Sequence, residues 1–153
     1  GGSHRRYYGN LEYVIRLKDL WDDSKTNISV RRGDREYYFR TAIGWSQVGN
    51  SQKSFRYTSH TVCGTATPTI YVKNEGWYSY ILAFLNTKIA YEYLSAFNPT
   101  INLLTTDICN IPLLESAMWK AKVKNLCLEN VKGSQKDWDS YETSWDFKRN
   151  PLV

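Results

Sequence analysis

The sequence predicts a mixed α+β domain: a twisted, mostly antiparallel or mixed sheet with two main helices. Three observations carry this expectation. Short runs rich in β-branched and aromatic residues, separated by Gly, Asn, Ser and Pro, occupy the first 72 residues. From Trp77 to Phe97 apolar residues recur every three or four positions, the period of a helix face. A second stretch of helical character runs from Glu115 to Lys132. At 153 residues the chain is long enough for one domain with its own core and no covalent staple.

Taken in order, residues 11–17 read as a strand through Tyr13, Val14 and Ile15, and 22–27 as a polar loop. Residues 28–32 read as a short strand or a helix end. Gly33 marks a turn among Arg31, Arg32 and Arg35. A second strand is expected over 36–43, further strand pieces over 54–57, 61–63 and 69–72, and a loop over 49–53. The helix over 77–97 should stop at Asn98-Pro99, because the residue before proline disfavours helical backbone. Residues 100–104 read as a strand, 105–107 as a turn, and 111–114 as an edge strand tolerant of Pro112. The last long helix should end near Lys132-Gly133, with a short helix capped by Ser134 beyond it. Residues 1–114 would form the core of the domain. Residues 115–153 would add a helix and an aromatic tail whose Trp138, Trp145 and Phe147 need a surface to dock on.

Composition narrows the function. Aromatics reach 15%, with 12 Tyr and 6 Trp, so some rings must lie partly at the surface, as in a Tyr-rich sheet or a base-stacking face. The net charge is +5, and its placement is one-sided. Residues 1–60 hold 11 Lys and Arg against 6 Asp and Glu, whereas residues 61–153 hold 9 against 9. Eight of the nine arginines lie in the first part. Such an excess suits a phosphate-binding face and equally a solvated basic surface.

The three cysteines, Cys63, Cys109 and Cys127, are odd in number, lack CxxC spacing and have apolar neighbours. They read as buried thiols of a reducing, cytoplasmic protein. With only His4 and His60 to assist, a metal site is not expected. No apolar run reaches the roughly 18 residues of a membrane span, so no membrane partner is expected. The chain begins at Gly1 without Met, which suggests a fragment of a longer protein.

Catalytic motifs are not visible. The chain has no GxGxxG, no GxxxxGK[ST] and no GxSxG. Asn98-Pro99-Thr100-Ile101 lacks the second proline and the aromatic that a methyltransferase [DNS]PP[YF] motif uses at a flipped adenine, and reads as a helix stop. Asp23-Ser24-Lys25 matches a [DE]xK nuclease fragment without an obvious acidic partner. A binding role therefore stands ahead of an enzymatic one. Lys25, Arg31, Arg32, Arg35, Arg40, Lys53 and Arg56 are the candidate phosphate contacts. Gln47, Asn50 and Gln52 are candidates for reading base edges, and Tyr57 stands beside them. As single residues they are also ordinary hydrophilic loop residues.

Several segments resemble a known family. Residues 81–88 (ILAFLNTK), Asn98-Pro99-Thr100 and the stretch Asp107-Ile108 to Pro112 are similar to the helix–strand block of restriction-modification recognition domains. The tail 136–147 (KDWDSYETSWDF), with Tyr7-Tyr8-Gly9-Asn10 and residues 42–46, resembles the PglX family, the adenine-specific DNA methyltransferases of BREX phage-exclusion systems. Gly44 stands where the family commonly has Thr, and Tyr8 where it has Trp.

The resemblance implies a C-terminal target-recognition region whose partners are double-stranded DNA and the rest of the parent methyltransferase. Other subunits of the bacterial defence system are further candidate partners. S-adenosylmethionine would bind in the parent, with no cofactor in this segment. A module that docks other defence-system subunits is the competing reading, and a small nuclease a third.

Overall fold

In the computed structural model, residues 3–16, 35–49, 53–62, 64, 66–114 and 116–152 are described. The expected loop over 22–27, the element over 28–32, the turn at Gly33 and Cys63 lie outside them. The architecture is mixed α+β, as expected, with a three-stranded antiparallel sheet and four α-helices among the described residues. Strands β1 (Ala42–Trp45), β2 (Phe55–Thr58) and β3 (Thr69–Ile70) lie in the order β2-β1-β3, so β1 is central. The helices are α1 (Tyr78–Leu85), α2 (Lys88–Phe97), α3 (Thr105–Cys109) and α4 (Ala117–Trp138).

Register explains the core. Ile43 pairs with Tyr57 and Ile70, and Trp45 with Phe55. Because side chains alternate along a strand, these five share one face. That face meets Leu82 and Leu85 of α1, Leu94 of α2 and Cys127 of α4. Trp45 is fully buried, and its indole N–H donates to the Leu103 carbonyl at 3.0 Å, so the ring leaves no orphaned donor. The other face carries Ala42, Gly44, Arg56 and Thr58, also buried. A Cβ on Gly44 would stand 3.0 Å from Thr58 Cγ2, so the tight approach there favours glycine.

Several elements differ from the sequence expectation, each for a local reason. Residues 11–16 form no strand, and Tyr13, Val14 and Ile15 are exposed. High strand propensity reports fit to a half-buried pleated surface, and here no such surface receives them. The strand expected over 36–43 begins only at Ala42. Before it, Arg35–Tyr37 form a single 3-10 turn, and Phe39 adopts φ 64°, which extended backbone does not tolerate. Residues 61–62 form no strand. The strand expected over 100–104 is reduced to an isolated bridge between Asn102 and Val48, and 105–107 open α3 instead of a turn. Residues 111–114 are irregular.

The helix expected over 77–97 is two helices. Asn86 breaks it: its amide Oδ1 accepts from the Phe55 N–H, and its Nδ2 donates to the carbonyls of Phe55 and Leu82. Thr87 then caps α2, its hydroxyl accepting from the Ala90 N–H at 3.2 Å. The expected stop at Asn98 holds. Its side chain accepts from Thr100, donates to Asp107 and the Asn102 carbonyl, and closes the turn through Pro99. Asp107 also accepts from the Leu104 N–H at the start of α3.

The last helix passes through Gly133 and ends at Trp138, so Ser134 lies inside it and starts no separate helix. Packing of Cys127, Val131 and Trp138 offsets the roughly 1 kcal/mol that a helical glycine costs. Trp138 docks on the N-terminal segment, where Gly9 takes φ 119° and Arg5 lies over the indole. Beyond it the Ser144 hydroxyl donates to Asp139 at 2.7 Å, which closes the tail on itself. Trp145, by contrast, is 70% exposed.

Candidate nucleic-acid interface

The sequence-derived candidates do not gather at one place. Lys25, Arg31, Arg32, Asn50 and Gln52 lie outside the described residues. Lys53 spans the C-terminus of α2, its ammonium donating to the carbonyls of Leu94 at 3.1 Å and Asn98 at 3.2 Å. Those carbonyls carry the negative end of the helix, so the charge is partly engaged there. Burial pushes the Lys53 ammonium pKa down, while nearby Asp107 pulls it up. Gln47 uses its backbone on both sides, donating to the Ala66 carbonyl and accepting from the Leu103 N–H. Tyr57 sits edge-on to Tyr78 at 5.8 Å and packs against the core.

Arg56 is the unusual member. It is only 2% exposed, and one guanidinium nitrogen donates to the Ser46 hydroxyl at 3.2 Å. Its Nη1 has no hydrogen-bond partner among the described residues. Burial lowers the pKa of the guanidinium. Desolvation of this kind makes Arg56 a poor partner for a phosphate arriving from solvent.

Arg35 and Arg40 are exposed and flank the same turn. The turn carries Tyr37, whose ring lies 4.9 Å from that of Tyr71, just beyond β3. The Arg40 guanidinium lies 5.6 Å over the Tyr37 ring. Arg, Tyr and Tyr thus form a short stack linking the segment before β1 to the segment after β3. The stack borders an open groove of about 1100 Å³, also lined by Phe39, Lys73 and Glu75.

Phe39 is 43% exposed and held in the left-handed region while its N–H donates to the Thr61 carbonyl at 3.0 Å. An aromatic residue in that conformation stays there only when its surroundings fix it, and such strain gathers at ligand clamps. Sequence reasoning found Arg35 and Arg40 here and missed Tyr37, Phe39, Tyr71 and Lys73. The local signal available was aromatic residues alternating with cations over 35–40.

The thiols separate by environment. Cys127 is buried, and burial pushes its pKa to about 11. Cys109, expected to be buried, is exposed beside the groove, because α3 is a short surface helix that buries only Ile108. No group of three His, Cys, Asp or Glu side chains gathers among the described residues. None of the described helices is long and apolar enough to cross a membrane.

The described residues thus place an aromatic–cationic groove on an α+β scaffold. The chain is similar along its whole length to adenine-specific methyltransferases. It is 28% identical over 161 residues to the adenine-specific methyltransferase PglX of Lacticaseibacillus casei (strain Zhang), covering 100% of this chain and 13% of that protein. It is 27% identical over 156 residues to the adenine-specific methyltransferase BrxX of Escherichia coli O9:H4 (strain HS), covering 100% of this chain and 12% of that protein. The similarity expected from the tail and from residues 7–10 and 42–46 therefore extends over the full chain, while the chain spans only a small part of either relative. No family model matches it.

Proposed function

We propose that this chain is the target-recognition segment of a larger adenine-specific DNA methyltransferase of the BREX phage-exclusion type, and that it binds double-stranded DNA. In this reading S-adenosylmethionine and the methyl-transfer groups belong to the rest of the parent enzyme, which works in the bacterial cytoplasm. Residues 1–114 would carry recognition, and 115–153 would brace them through the contact of Trp138 with Gly9.

The full-length similarity supports the methyltransferase assignment. The observation that carries the DNA role is the exposed Arg40, stacked on Tyr37 at the rim of a groove that Lys73 also lines. Exposed cations on short loops neutralise phosphates and set the register, while polar neighbours read base edges. Arg35 and Arg40 would hold the backbone, with Lys25, Arg31 and Arg32 adding charge and Gln47, Asn50 and Gln52 reading bases. Lys53 and Arg56 act here through the fold, because one is bonded to a helix end and the other is buried.

Selection of bound duplexes from a random-sequence library tests this reading. An enriched motif that disappears in Arg35→Ala/Arg40→Ala supports it. Absence of duplex binding at low salt overturns it.

A further inference from the structure

The groove beside Arg40 brings a ring and two cations from separate segments to one concave site. Its volume, about 1100 Å³, slightly exceeds that of common small-molecule pockets, on the order of 300–1,000 Å³, so it has room for a nucleotide. Its lining combines a partly exposed ring, Phe39, with two cations, Arg40 and Lys73, on different segments. Glu75 also lines it, so the positive charge is not uniform. A ring supplies a face for any base, and flanking cations hold the phosphates on either side. Base-edge reading of intact duplex would instead call for convex groups that enter a groove of the DNA.

The backbone at Phe39 supports a ligand role. At φ 64° a phenylalanine is strained where a glycine would not be, yet its ring is neither buried nor part of the core cluster. One edge-to-face contact with Tyr38, at 6.4 Å, holds the ring from behind and leaves 43% of the residue open to the groove side.

Resting on the DNA-binding reading above, we propose that this groove takes an unpaired nucleotide of the bound DNA. The base stacks on Phe39, and the adjoining phosphates meet Arg40 and Lys73. An unpaired or displaced base enters at lower cost than one drawn from intact pairing, because unstacking is already accomplished.

The test uses the full chain and two labelled DNA pools with identical random flanks, one fully paired and one carrying a single bulged nucleotide. Binding is followed by fluorescence anisotropy for the wild type, Phe39→Gly and Phe39→Trp. The bulged pool is expected to bind tighter than the paired pool. Phe39→Gly should reduce that affinity by roughly 5- to 150-fold, the usual worth of one stacked base. The same variant should weaken paired-duplex binding less than bulged-pool binding, and melting curves check that it stays folded, since glycine relieves the φ strain but removes the edge contact with Tyr38. Phe39→Trp should keep the preference. Equal affinity for both pools, or an equal loss on both in Phe39→Gly, overturns the proposal while leaving duplex recognition standing. If neither pool binds, duplex recognition and the nucleotide groove fall together.

Discussion

The guanidinium of Arg5 lies 4.8 Å over the indole of Trp138, and its Nη1 donates to the neighbouring Asp137 carboxylate at 2.8 Å. The contact fastens the first residues described to the end of the longest helix. Gly9 completes it: a Cβ there would stand 2.7 Å from Arg5 Cδ and 3.0 Å from the Trp138 ring, on a backbone at φ 119°. Gly9→Ala is expected to cost about 2 kcal/mol through strain and displaced packing. Arg5→Ala, which removes a surface ion pair and the cation–π contacts with Trp138 and Tyr141, should cost about 1–2 kcal/mol or less. Thermal melts of both variants check the order. An alanine at Gly9 that costs nothing would mean the clasp is not packed in this way.

Gly133 presents the opposite case. It sits inside α4, exposed, with nothing within 4 Å of an added Cβ. Gly133→Ala should stabilise by about 0.5–1 kcal/mol, a rise of roughly 1–4 °C in melting temperature. A fall would show that the helix does not continue through this position.

Asn86 should be the costliest polar position in the core. Its amide answers both the N–H and the carbonyl of Phe55, a strand residue buried completely. Asn86→Leu leaves both without this partner, for an expected loss of about 2–4 kcal/mol in denaturant unfolding. Asn86→Asp removes the two donated bonds and sets a carboxylate against carbonyl oxygens. Its deficit should shrink as pH falls and the carboxyl takes up a proton. A loss below about 1 kcal/mol in Asn86→Leu would rule out the role assigned to this amide.

Burial raises the Cys127 thiol from 9.0 to about 11, and burial also pushes the Tyr78 phenol upward. The folded state thus holds these protons more tightly than the unfolded chain. The Cys127 contribution is fully present below pH 9 and is lost as pH rises through about 11, while that of Tyr78 begins to fall only above about pH 10. Stability should decline over that window, and Cys127→Ser should flatten part of the decline. Under native conditions iodoacetamide should modify exposed Cys109 and spare Cys127, as read by peptide mass mapping. Equal modification of the two would contradict the burial assigned here.

The parts of the fold legible in the sequence were those fixed by local chemistry or strong periodicity. The apolar repeat marked α1 and α2, Asn98-Pro99 marked their end, and β-branched and aromatic runs marked β2 and β3. Illegible were features decided at a distance. Asn86 splits a continuous helical pattern because its partner, Phe55, is 31 residues away. Gly133 does not end α4 because its flanking residues pack on the core and on the N-terminal segment.

The same limit applies to the interface. Arg40 was legible as an exposed cation, whereas Arg56, also an arginine, is buried behind Ser46. The pairing of Tyr37 with Tyr71 could not be read along the chain, because β3 brings together residues 34 positions apart.

In the proposed recognition role, exposed cations beside the groove hold DNA phosphates. The most direct measurement is the slope of duplex affinity against salt for the wild type and for Arg40→Ala, with melting curves to confirm folding. Each phosphate contact contributes about 0.9 to the negative slope. The wild-type slope should be at least about −2, and Arg40→Ala should lower its magnitude by about one unit with no change in melting temperature. A wild-type slope near zero, or an unchanged slope in folded Arg40→Ala, would contradict phosphate binding at this groove.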